Sequence, residues 1–197
     1  MTTTTLVSIA FLALLVFWAV GAHNRLIRLK NTIGNAFGQI DVQLKRRYDL
    51  IPNLVEAAKK YLSHESATLE AVIVARNQAQ RASDVVRSRP ANAEAVVALA
   101  SAEKALDGSL GRMFALAEAY PELKADRTIR ELSEELTSTE NKVAFARQAY
   151  NDTVLDYNNA QQQFPALLIA GLFGFRSAAV LQATESAVER QSVRITL

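Results

Sequence analysis

The chain has 197 residues, with 22 Lys and Arg against 20 Asp and Glu, no Cys, 7 Gly and 4 Pro. The lack of Cys excludes disulfides, thiolate zinc sites and thiol nucleophiles. Scarce Gly and Pro, 33 alanines and only 7% aromatics favour long helices over a large aromatic-packed globule. Every charged residue lies after Asn24, so the net charge of +2 averages a charge-free head and a charged body.

The head, residues 6–22 (LVSIAFLALLVFWAVGA), carries no charge and no Pro. Its helix would be roughly 26 Å long, and the flanking threonines and His23 extend it to bilayer thickness. Leu6, Ile9, Phe11, Leu14, Leu15, Phe17, Trp18 and Val20 are the expected lipid-facing residues, with Trp18 and His23 suited to the interfacial end. A secretory signal is the alternative, since Val20, Gly21 and Ala22 resemble a cleavage site. The first five residues lack the basic group such signals carry, which favours an uncleaved anchor over residues 1–23. Arg25, Arg28 and Lys30 follow the span and no basic side chain precedes it. By the positive-inside rule the N-terminus is expected outside and the body in the cytoplasm, at a bacterial inner membrane.

Residues 25–60 hold 8 basic and 3 acidic groups, a net of +5, whereas residues 121–164 hold 5 and 8, a net of −3. The basic collar of Arg25, Arg28 and Lys30 is explained as a topology signal. It can also attract anionic headgroups, at about 1 kcal/mol for each cation near the surface. Lys45, Arg46 and Arg47 lie roughly 35 Å further along a continuous helix and would feel little of the bilayer unless that helix folds back. No basic stripe with interleaved aromatics suggests nucleic acid.

Apolar residues then recur at helical spacing. Leu26, Leu29, Ile33, Phe37, Ile40, Leu44 and Tyr48 step by three and four. A second stripe runs through Leu54, Ala58, Tyr61, Leu69, Val72 and Ala79. Between them Pro52 either kinks one long helix or starts a new one. Residues 88–92, with Pro90, are the clearest turn. A third stripe, Val96, Leu99, Glu103, Leu106, Leu110, Met113, Ala117 and Tyr120, carries one acidic misfit, and Pro121 suits the first turn of the next helix.

That next helix, about 42 residues long, repeats Ile129, Leu136, Val143, Tyr150, Tyr157 and Phe164 every seven residues. Leu132, Thr139, Ala146, Thr153 and Ala160 follow three later, so large residues face small ones in a packing seam. With no strand-like alternation, the expected fold is all-α. It is an N-terminal transmembrane helix continuing into an antiparallel bundle of long helices over residues 24–164.

The run 41–56 (DVQLKRRYDLIPNLVE) and the later series Tyr150, Asn151, Tyr157, Asn158, Phe164 and Pro165 together resemble the bacterial LemA family. Residues 117–124 (AEAYPELK), 135–141 (ELTSTEN), Leu168, Ile169 and Ala170, and Phe173, Gly174 and Phe175 agree. The likeness covers roughly residues 20–176; the family pattern often has Trp where this chain has Phe37. The resemblance implies a single-pass membrane protein with a cytoplasmic bundle. Its relatives in magnetosome membrane formation imply a membrane-organising role.

Read from their own chemistry, Arg46, Arg47, Tyr48, Asp49, Pro52 and Asn53 suit a capped kink or corner, with a partner epitope as the alternative. Opposite charges there would neutralise one another, and Asp49 or Asn53 would cap. Tyr150 and Tyr157 suit core positions with their phenol tips on buried acceptors. Asn151 and Asn158 would hydrogen-bond across helices to fix register.

Residues 165–175 (PALLIAGLFGF) are too apolar for a solvated tail and too short to span. Leu167, Leu168, Ile169, Leu172, Phe173 and Phe175 must be covered by the bundle, a sister chain or lipid. The remaining tail, with Val180, Leu181, Ala187 and Val188, suits a short amphipathic helix. No catalytic, metal or cofactor site is expected. His64 and Glu65 lack a second His because position 68 is Thr, and no phosphate-cradling Gly loop or nucleophile elbow occurs. Glu131, Glu134 and Glu135 suit a solvated face beside Arg127 and Arg130. The expectation is a non-enzymatic membrane scaffold partnered by lipid and by further copies of itself, with a single-pass sensor or adaptor for a soluble partner as the alternative.

Overall fold

The computed structural model describes residues 3–181. Helix α1, Thr3–Lys59, is 57 residues long, roughly 85 Å at 1.5 Å per residue. No residue of its first third is buried. The most apolar 18-residue window has a mean hydropathy of 2.3 with none of it buried, so this is a helix long and apolar enough to cross a membrane. From Leu26 onward the same helix enters the bundle, burying Leu26, Ile33, Phe37, Ile40, Leu44, Tyr48, Ile51, Leu54 and Ala58 along one face. The expected stripe is the stripe observed, with Leu29 only partly buried.

Helices α2, Ser66–Ser88, and α3, Ala93–Ala117, form a hairpin, and α5, Arg127–Gln162, returns along α1 after the single turn α4, Pro121–Ala125. The pairings give the directions. Arg87 meets Asp41 and Arg76 meets Tyr48, so α2 is antiparallel to α1. Phe37 meets Tyr150 and Arg46 meets Glu135, so α5 is antiparallel too. Because α3 returns along α2 in a hairpin, it runs parallel to α1, which it meets at Arg47 and Glu103. The result is an up-down-up-down bundle in which α1 packs most heavily on α5. No strand occurs among the described residues.

Pro52 lies inside α1, so it ends nothing. The reversal falls instead at residues 60–65, within what the apolar stripe suggested was one helix. Leu62, wholly buried, plugs that corner. The long fourth helix is also shorter than expected. Pro121 opens α4, and α5 starts afresh where Asp126 accepts a hydrogen bond from the Ile129 amide at 3.1 Å, satisfying an otherwise orphaned first-turn donor. Tyr61 donates to the other Asp126 oxygen at 2.9 Å, tying the α1–α2 corner to the α4–α5 corner at the end away from the span.

At the opposite end α6, Ala166–Leu172, packs between α1 and α5. Its C-terminus closes with the Phe175 amide on the Ala170 carbonyl at 2.9 Å and Gly174 at φ 67°, a left-handed cap for which glycine is suited. Residues 175–181 then run without helix. The amphipathic helix expected beyond Arg176 is therefore not formed over 177–181, and its Ala187 and Val188 lie outside the described residues.

Candidate functional site

Midway along α1, the RRYD run meets partners from three helices rather than neutralising itself. Arg46 pairs with Glu135 on α5, and Asp49 lies 3.9 Å from Arg76 on α2. Arg47 donates to Glu103 Oε2 at 2.8 Å and to Asp107, and the Tyr48 hydroxyl donates to Glu103 Oε1. The Arg47 and Glu103 side chains are only 7% and 16% exposed. Burial pushes the Glu103 carboxyl above its usual range, against the opposing pull of Arg47 and Tyr48. For Arg47 burial acts to lower the value, but Glu103 and Asp107 outweigh it and the guanidinium is raised. Burial, then the Glu103 charge, lifts Tyr48 far above its ordinary value, so it remains a phenol. This cluster ties α1 to α3 and buries Arg47 and Tyr48; Asn53 is exposed.

Pro52 has no amide to offer the Tyr48 carbonyl, and the Arg76 guanidinium supplies the missing donor, with Nε 2.9 Å from that oxygen. The helix therefore continues through the proline with the freed carbonyl satisfied. The caps expected from Asp49 and Asn53 are unnecessary because no helix end exists there.

Along α5, Ile129, Leu136, Tyr150 and Tyr157 are buried and Val143 partly so, but Phe164 is 81% exposed and falls outside the seam. Asn151 and Asn158 do not bridge helices. Each clasps the main chain of the strap, residues 175–181, at both donor and acceptor. Asn158 donates to the Ala178 carbonyl at 2.9 Å and accepts from the Ala178 amide at 2.9 Å. Asn151 does the same at Leu181, at 3.2 Å and 2.8 Å. Gln161 donates to the Phe175 carbonyl at 2.8 Å and Tyr157 to that of Arg176 at 2.9 Å. Tyr150 donates to the Pro90 carbonyl at 3.0 Å, tying the α2–α3 turn to the same ladder; burial pushes its phenol up to about 12.

The strap follows α6, and α6 sits where α1 emerges from its charge-free stretch. The His23 ring lies 4.5 Å from that of Phe173 and 5.4 Å from that of Phe175, while Leu26 is buried with Ala160 and Ala170. Ile169 faces the bundle, and Phe175 is partly covered. Leu167, Leu168, Leu172 and Phe173, joined by Phe164, remain exposed. The span residues Leu6, Ile9, Phe11, Leu14, Leu15, Phe17, Trp18 and Val20 are exposed or nearly so on the adjoining helix. Arg25, Arg28 and Lys30 project from α1 just beyond, and their side chains have no ion-pair partner among the described residues.

Glu103, Asp107, Arg76, Gln161, Arg89 and Arg176 were not singled out by sequence reasoning as site residues. Only Glu103 gave a signal, as the acidic misfit in an apolar stripe. Among the described residues no group of three His, Asp or Glu side chains is arranged to hold a metal.

The chain is 28% identical to Protein LemA of Metamycoplasma hominis over 177 residues, 90% of this chain and 75% of that protein. It is 29% identical to Magnetosome protein MamQ 2 of Paramagnetospirillum magneticum over 85 residues, 43% of this chain and 31% of that one. It is 29% identical to Magnetosome protein MamQ of Magnetospirillum gryphiswaldense over 79 residues, 40% and 29% respectively. The aligned part thus spans under a third of either MamQ protein. The sequence pattern of the LemA family matches residues 36–196, and the chain belongs to that family.

Proposed function

We propose that this chain is a non-enzymatic membrane scaffold. In this reading α1 fixes the bundle in the bilayer, α6 rests its apolar side on the same membrane, and copies gathered side by side organise or bend it. The observation that carries it is the position of α6. Phe164, Leu167, Leu168, Leu172 and Phe173 are exposed at the level where His23 ends the charge-free helix. Contiguous apolar exposure of this kind marks a membrane or partner contact, and a short helix held at the foot of a span presents that side at interface depth. Positive residues after the span favour a cytoplasmic bundle at a bacterial inner membrane. The partial likeness to magnetosome proteins is in keeping with a role at a membrane.

Full-length protein in native nanodiscs, sized by mass photometry, should give species of several copies, and its addition to liposomes should change their shape. Single copies with unaltered vesicles would overturn the reading. Single copies that enlarge only when a soluble partner is added would replace it with an adaptor. A C-terminal tag should resist protease in intact cells; ready cleavage would reverse the orientation.

A further inference from the structure

A cavity of about 730 Å³ opens between α1, the α2–α3 turn and the strap. The turn packs against α1 there: a Cβ on Gly34 would lie 3.4 Å from Pro90 Cγ, in van der Waals contact. Three separate parts of the sequence each bring a cation to its wall, Lys30 from α1, Arg89 from the turn and Arg176 from the strap. None of the three side chains has an ion-pair or hydrogen-bond partner among the described residues. Among the described residues Glu94 is the one carboxylate on the wall, and Asn31 and Asn35 add polar groups. Like charges gathered in one concavity repel, and their fields add within it. Arg47 in the bundle is held by Glu103 and Asp107, whereas no carboxylate among the described residues pairs with these three cations.

The place of the cavity limits what fills it. Lys30 follows His23 by seven residues, roughly 10 Å along the helix, which sets the cavity just beneath the headgroup layer of a membrane crossed by α1. The geometry points to a binding site for a phosphate group, presented by an anionic lipid headgroup or by a small soluble phosphate compound. A tetrahedral phosphate offers acceptors in several directions, which suits two guanidinium forks and an ammonium arriving from different walls. Basic pockets at the membrane-facing end of helical proteins bind headgroups in this manner. The site goes beyond the scaffold reading and rests on cations of α1, the α2–α3 turn and the strap, none of which lies on α6.

Full-length protein in a neutral maltoside detergent, titrated calorimetrically with dihexanoyl phosphatidylglycerol, glycerol 3-phosphate and inorganic phosphate, tests this. The short-chain lipid should bind saturably at one site per chain. Affinity should fall about fivefold for each cation removed in Lys30→Gln, Arg89→Gln and Arg176→Gln, with helicity by circular dichroism unchanged. Arg25→Gln with Arg28→Gln, outside the cavity, should keep the saturable site. Soluble phosphates binding as tightly, with the same losses, would support the site and assign it a soluble ligand. The absence of saturable binding to all three compounds, or binding that survives the triple substitution, would overturn the proposal.

Discussion

Arg47 is held by two carboxylates of α3, and one of these, on Glu103, also accepts from Tyr48. Removing one member leaves the others buried without a full set of partners, which costs more than the group contributed. Glu103→Leu should therefore destabilise the bundle by about 3 kcal/mol. Arg47→Met, Tyr48→Phe and Glu103→Leu combined should recover most of that loss, as urea unfolding of the full chain in detergent would show. Losses that simply add would mean the three residues are not one unit.

Asp126 gives a pH-dependent counterpart. The Ile129 amide and the Tyr61 hydroxyl hold its carboxyl below the usual aspartate range. A depressed folded value means that its contribution is complete above the ordinary value of about 4 and is lost as pH falls through the depressed one. Asp126→Ala should lower the melting temperature at pH 7, with the gap to the parent narrowing below about pH 4. A gap independent of pH would assign the loss to something other than the charged cap.

At the scale of elements, the most informative pair is Pro52 and Arg76. Arg76→Leu should cost about 1–3 kcal/mol by orphaning the Tyr48 carbonyl. Pro52→Ala supplies an amide to the same oxygen and should rescue that variant, so a double-mutant cycle would show strong coupling; additive effects would contradict the substitution of one donor by the other. The strap makes a similar prediction. Asn158→Ala leaves both polar groups of Ala178 without their partner, and hydrogen exchange at the Ala178 amide should accelerate at least tenfold while that at residues within α5 stays protected. Unchanged exchange would mean the strap is held by its apolar contacts alone.

These elements also show where sequence was legible. The α1 stripe, the turn around Pro90, the first-turn place of Pro121 and the buried column Leu136, Tyr150 and Tyr157 all follow from spacing, because burial of one helix face imposes that spacing. Three features did not follow. The 60–65 reversal contains no Gly or Pro, and its apolar Leu62 continues the pattern on either side. The continuity of α1 through Pro52 depends on a guanidinium 24 positions later in the chain. The clasp of Asn151 and Asn158 on the strap depends on a chain reversal through α6, so a local polar residue on a helix seam looked like a cross-helix bridge.

For the whole molecule, the charge arithmetic and the fold describe one asymmetry. The charge-free third of α1, the exposed side of α6 and the cations Arg25, Arg28, Lys30, Arg89 and Arg176 all gather toward one end, while the Tyr61–Asp126 tie closes the other. Phe164 and Leu172 stand exposed, at 81% and 77%, near a helix long and apolar enough to cross a membrane. In the proposed function this end of the bundle lies on lipid. That placement is tested most directly by placing an indole on α6, with Leu172→Trp in a Trp18→Phe background, and reconstituting the protein in bilayers containing brominated lipid. Quenching should be strong for that chain and near baseline for Phe145→Trp in the same background, placed far along the bundle. Equal, weak quenching at both positions would contradict the account.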